Sequence, residues 1–206
     1  MNAASAAVGS RLPAFDSHQR VREAAFALLL ANGEPVSLAD LERLTGVGAG
    51  LAPMLDEFAA LGWIDRDQSG RITGSAGLSL SSGPHRLELR DRPYRTWCGY
   101  DALGIAAALG EDAALATTCP VCEAAIVLTL TAGRPAAARR ERLFLAVGGA
   151  DLRADFCAPT VVLCSEEDAV AWSNHSAGRI LTLEAAADLG AAAWARCADA
   201  SRVIDP

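Results

Sequence analysis

Residues 92–101 read Arg-Pro-Tyr-Arg-Thr-Trp-Cys-Gly-Tyr-Asp, and the run that follows, Ala102 to Leu109, is almost wholly apolar. That run reads as a helix with Cys98 and Asp101 on its first turn, where a spacing of three residues puts both side chains on one face. A helix N-terminus lowers the pKa of a thiol, whereas a neighbouring carboxylate raises it. The pair is therefore expected to share one proton. Such a pair suits chemistry in which a sulfur grips a substrate and a carboxyl moves a proton. A plainer role fits the same residues, because a free cysteine packs as a small hydrophobe and Asp at a helix start compensates the dipole.

Upstream, His85-Arg86-Leu87-Glu88-Leu89 alternates like a half-buried strand. Ser75 to Pro84 is rich in Gly and Ser and reads as a connection, which puts a domain boundary between residues 76 and 77. Before it, apolar Val21, Ala24, Ala25, Leu28 and Leu29 recur at helical spacing from Asp16 to Ala31. Ser37 and Asp40 resemble a capping box for a second helix ending at Thr45-Gly46, and a third is expected from Leu51 to Leu61. Trp63–Asp65 and Arg71–Thr73 flank Gln68-Ser69-Gly70 as a small hairpin. Three helices and a hairpin over residues 16–76 are winged-helix-like. The third helix carries Asp56 and Glu57 and no Arg, and residues 1–74 hold six Arg against nine Asp plus Glu, a net of 6 − 9 = −3. Phosphate binding relies on clustered basic side chains, so this unit is expected to serve packing or partner contact and not DNA.

Downstream, Cys119-Pro-Val-Cys122 precedes an apolar strand from Ala125 to Thr131. The motif resembles half of a zinc knuckle or a redox pair, but no second CxxC or HxxxH completes it, so structural turn cysteines are expected. Residues 135–142 read as an exposed Arg-rich loop and 143–147 as a strand. Cys157 precedes a buried strand, a position where site residues often lie. Cys164, inside that apolar run, reads as core, and Cys197 as packing. Ser165 caps a short helix over 166–172; residues 179–183 form a last strand, and 184–198 a closing helix. Residues 77–206 are thus expected to form an α+β domain with a mixed, mainly antiparallel sheet and flanking helices. His18, His85 and His175 read as solvated side chains.

The 206 residues include 51% hydrophobic ones, enough for real cores, and no apolar run is long enough to span a membrane. A net charge of −7 and a pI near 4.9 argue against nucleic-acid binding. Every basic residue is Arg. Met1 to Gly9 has neither the basic start nor the apolar stretch of a signal peptide, so a cytoplasmic protein with a disordered tail over 1–15 is expected. In that compartment the six cysteines are expected to be thiols.

Two separated segments carry a resemblance: Tyr94-Arg-Thr-Trp-Cys-Gly-Tyr-Asp101, and Asp155-Phe-Cys157 with its following strand and Ser165 to Trp172. Together they are similar to the bacterial organomercurial lyase (alkylmercury lyase) family, in which W-C-x-x-D and F-C segments supply two cysteines and an aspartate. The resemblance extends over most of the chain. It implies that Cys98, Asp101 and Cys157 are catalytic, with Cys98 and Cys157 holding mercury and Asp101 a further oxygen donor. Trp97, Tyr100 and Phe156 would line an apolar pocket for the organic group, a place they could equally occupy as core. In the family the cysteine matching Cys119 is usually structural; here it gains a partner at Cys122, which leaves room for a zinc or redox variation. Ala158 stands where some members carry a further cysteine.

Hg(II) is very soft and prefers thiolate ligands. The resemblance implies protonolysis of a carbon–mercury bond, with the hydrocarbon released and Hg(II) kept by two sulfurs. No cofactor is then required, and small thiols or a mercuric reductase would collect the ion, as in mercuric resistance and detoxification. The competing reading is a non-catalytic thiol protein that binds or senses a soft metal or organometal. Asp101 favours the enzyme, since capture needs only sulfurs. A winged-helix regulator is disfavoured by the acidic third helix.

Overall fold

Residues 85–89 alternate as the sequence predicts, with His85, Leu87 and Leu89 inward and Arg86 and Glu88 outward, in a computed structural model that describes residues 16–204. The tail over 1–15 lies outside the described residues. Helices α1 (Asp16–Asn32), α2 (Leu38–Thr45) and α3 (Leu51–Ala60) come first. Strands β1 (Ile64–Arg66), β2 (Ile72–Ser75), β3 (Leu78–Ser79), β4 (His85–Leu89) and β5 (Arg92–Thr96) follow. Helix α4 (Gly99–Leu109) leads to β6 (Ala113–Thr118), β7 (Ala125–Thr131), β8 (Arg134–Pro135) and β9 (Arg142–Ala146). A π-helical turn (Leu152–Cys157), β10 (Val161–Leu163), α5 (Glu166–Ser173), β11 (Gly178–Thr182), α6 (Leu183–Ala193) and α7 (Ala195–Ile204) complete the described chain.

The strands form two sheets, one of eight in the order β1-β2-β3-β5-β4-β6-β7-β8 and one of three in the order β10-β9-β11. Each neighbouring pair is antiparallel. This is the expected α+β architecture with flanking helices. Local signals set most boundaries. Ser37 caps α2 by accepting from the Asp40 N–H at 3.1 Å, and Gly46 ends it in the left-handed conformation. In β7, Ile126, Leu128 and Leu130 face the core and the residues between them face solvent.

Several elements depart from expectation. Strand β5 has no hairpin signal before it, because the two-residue turn from β4 uses Arg90 and Asp91 in the left-handed region without Gly or Asn. The segment over 75–84 contains β3, which pairs β2 on one side and β5 on the other. His85 is buried rather than solvated: the strand's alternation turns it inward, where Nδ1 meets Thr117 Oγ1 at 2.7 Å and burial pushes its pKa down to about 4. The closing helix is two helices, broken at Trp194, whose indole N–H donates to the Ala76 carbonyl at 2.7 Å.

One contiguous apolar core runs from Val21 to Cys197. Helix α4 crosses α6 at Gly104 and Gly190 without room for a side chain. A Cβ on Gly190 would lie 2.2 Å from Gly104 Cα, and one on Gly104 would lie 2.5 Å from the Trp194 ring. Gly190→Ala should raise helix propensity yet destabilise the fold by about 1–3 kcal/mol through overpacking. A lowered thermal midpoint checks this; an unchanged or raised one would contradict the close crossing.

Candidate active site

Strand β5 ends at Thr96, and Cys98 occupies the N-cap of α4 in extended conformation. The Cys98 N–H donates to Asp101 Oδ2 at 2.8 Å, so Asp101, at the third helical position, folds back over the helix start. Two glycines make room for this. Gly77 has φ +90° and a Cβ there would come within 2.6 Å of Asp101 Cγ, while a Cβ on Gly99 would meet Val162 at 2.9 Å. The start of α4 is thereby pressed onto β10.

Cys157 reaches the same place from the other sheet. The π-helical turn that it ends is capped by Asp151, whose carboxylate accepts from the N–H groups of Arg153 and Ala154 at 2.8 and 2.9 Å. Such turns recur at functional sites. Beyond it, the Thr160 N–H donates to the Cys157 carbonyl at 3.1 Å, and the Thr160 carbonyl accepts from the Gly99 N–H at 3.0 Å. The two cysteine segments are thus bonded through one residue. The ligand atoms of Cys98, Asp101 and Cys157 all lie within 4.8 Å of one another, and all three residues are buried.

Burial pushes the Cys98 thiol well above its ordinary value, and neighbouring Cys157 and Asp101 add to the rise, so Cys98 rests as a neutral thiol. Burial likewise raises Asp101, to about 6, against the hydrogen bonds from Cys98 and the charge of Arg153, which hold it down. The folded chain therefore binds this proton more tightly than the unfolded chain. Its contribution to stability is full below the ordinary pKa and is lost as pH rises through about 6. At neutral pH the ionised carboxylate costs the fold roughly 3 kcal/mol relative to its protonated form.

A cavity of about 250 Å³ opens against this cluster, walled by Trp97, Asp101, Leu152, Phe156, Cys157 and Trp194. Of the aromatic residues expected around the organic group, Trp97 and Phe156 line it. Tyr100 is fully buried, packed edge-on against Trp194 at 5.2 Å and against Phe156 at 6.4 Å, and does not line the cavity. Cys98 lies behind the wall with no exposure.

Several contributors lack a signal in the sequence. Gly77 and Ala76 belong to the segment read as a connection, yet they form one wall. Arg153 stacks on the Trp97 ring at 3.3 Å and pairs with Asp65 at 2.7 Å; Asp65 in turn accepts from the Trp97 indole at 2.9 Å. This clamp ties the π-helical turn to the residue before Cys98. Cys197 also faces the cavity, beside Arg22 and Glu23, and burial pushes its thiol up to about 12.

A second group of potential ligands gathers elsewhere: Cys119, Cys122, Cys164 and Asp168. Cys164 is buried as expected, but it is not core alone, since the end of β10 brings it to the CxxC turn.

The family profile described as alkylmercury lyase matches residues 78–195. An alkylmercury lyase of Staphylococcus epidermidis is 27% identical over 167 residues, which is 79% of this chain and 76% of that one. One from Pseudomonas putida is 28% identical over 167 residues, 78% of this chain and 77% of its own. The fold is similar to the crystal structure of the mercury-bound form of MerB2, with a TM-score of 0.79 over 95% of this chain and 97% of that one at 21% identity.

Isotope-edited NMR of the Asp101 carboxyl should show a midpoint near 6, moving higher in Arg153→Gln, which removes a nearby positive charge. A midpoint in the ordinary aspartate range would contradict the buried geometry.

Proposed function

This chain belongs to the alkylmercury lyase family, and we propose that Cys98, Asp101 and Cys157 carry its cleavage of carbon–mercury bonds. The observation that supports these roles is the meeting of two cysteines and one carboxyl, all buried, within 4.8 Å beside a cavity whose wall is mainly apolar. An organomercurial enters as R–Hg–X, X being a small thiolate. Cys157, on the cavity wall, is the first sulfur to bond mercury, and X leaves as HX with the Cys157 proton. Cys98, behind it, is the second. As Cys98 bonds to mercury, Asp101 accepts its proton. Two sulfurs raise the electron density on mercury, and Asp101 returns the proton to the carbon. The Hg–C bond breaks, R–H departs, and Hg(II) stays between two thiolates. Two thiol protons enter and leave as HX and R–H, so the step balances without redox change.

The site's electrostatics suit this sequence. Mercury drives off the thiol proton that burial otherwise holds in place, because a soft cation strongly prefers thiolate. A carboxyl titrating near 6 is basic enough to accept that proton and acidic enough to give it up again. No cofactor is needed in this scheme. Small thiols, or a mercuric reductase, collect the Hg(II) product, in a cytoplasmic detoxification role.

We read residues 16–76 as a winged-helix-like unit and 77–206 as the catalytic unit. The acidic balance of the first unit supports a packing role over nucleic-acid binding.

With an arylmercurial and excess small thiol, Asp101→Ala should release arene about 10²- to 10⁴-fold more slowly while still binding mercury. The wild-type kcat/KM should rise as pH climbs through about 6, because Asp101 must be ionised to accept a proton. Undiminished arene release by Asp101→Ala, or tight mercurial binding by the wild type without any arene, would contradict these roles.

A further inference from the structure

The turn between β6 and β7 meets the end of β10 and the first turn of α5 on four side chains: Cys119, Cys122, Cys164 and Asp168. None belongs to the cavity or to the cluster described above. We propose that these four residues form a tetrahedral Cys₃Asp site for Zn²⁺ that pins the two sheets together.

Geometry carries the assignment. The four potential ligand atoms lie within 4.8 Å of one another. Asp168 Oδ2 is 3.6 Å from Cys119 Sγ and 3.5 Å from Cys122 Sγ. Zinc bonds of about 2.3 Å to sulfur and 2.0 Å to oxygen, opened at the tetrahedral angle, give a sulfur–oxygen edge of about 3.5 Å. The protein thus holds these edges at the separation the ion requires.

The surroundings agree. Cys119-Pro-Val-Cys122 turns back with Glu123 in the left-handed conformation, and the Glu123 N–H donates to the Cys119 carbonyl at 2.9 Å. Ser165 accepts from the Asp168 N–H at 3.2 Å and sets that carboxylate at the start of α5. Three thiolates with one harder carboxylate oxygen, closed on four sides, fit a borderline divalent ion in a structural role. The ion would fix the far end of β10, whose near end presses on Gly99 and follows Cys157.

The test is titration of the reduced, metal-stripped full chain with Co²⁺ as a spectroscopic stand-in, then displacement by Zn²⁺. We expect one Co²⁺ per chain, with tetrahedral ligand-field and sulfur charge-transfer bands. Uptake should persist in Cys98→Ser/Cys157→Ser and be lost in Cys122→Ser, whose side chain is exposed and whose loss the fold should tolerate. Zinc loading should raise the thermal midpoint of the wild type but not of Cys122→Ser. The proposal is overturned if no Co²⁺ or Zn²⁺ binds, if uptake follows Cys98 and Cys157 instead, or if these thiols take only Hg(II). A Cys119–Cys122 disulfide forming in place of metal uptake would overturn it equally.

Discussion

The hydrogen bond from the Gly99 N–H to the Thr160 carbonyl, 3.0 Å long, joins the first turn of α4 to the residue before β10, beside the proposed reaction centre. On one side it fixes the first turn of α4, and with it Cys98 and Asp101. On the other it fixes the residue that bonds back to Cys157. The contact requires glycine at 99, since any Cβ would collide with Val162. Thr160 is fully buried and also accepts from the Ala146 N–H through its hydroxyl at 3.1 Å, so this joint is itself anchored in β9. Two cysteines far apart in the chain therefore converge by backbone geometry, before any mercury is present.

That preorganisation has an electrostatic cost. The proposed protonolysis calls for sulfurs that yield their protons to mercury and not to solvent, and a carboxyl that can take a proton and return it. Burial supplies both conditions, holding Cys98 neutral and lifting Asp101 to about 6. Neither group would have these properties on an exposed helix end, where Asp is a plain dipole-compensating residue. The charge of Arg153, held in place by Asp65 and Trp97, limits the rise of Asp101.

Much of this was legible in the sequence because it depends on local pattern. The spacing of Cys98 and Asp101, the Ser37 and Ser165 caps, and the alternation in β4 each report a local rule. What was hidden depends on contacts between distant segments. Gly77 looks like linker glycine until Asp101 is packed on it, and β3 is two residues in a Ser/Gly stretch. Arg90 and Asp91 make a tight turn without its usual residues. The π-helical turn follows no apolar periodicity, so Arg153 gave no sign of its role. Cys164 reads as core from its apolar neighbours, and only the meeting of β10 with the CxxC turn reveals three thiols together. His85 reads as solvated from its position at the strand start, and the strand's alternation buries it.

The measurement closest to the central claim is the structure of the protein after one turnover with a single equivalent of arylmercurial and no added thiol. Arene should be released, and Hg(II) should be found bridging the sulfurs of Cys98 and Cys157 with Asp101 alongside. Arene release with the mercury held by Cys119, Cys122 and Cys164, or by only one of the two active-site sulfurs, would contradict the account.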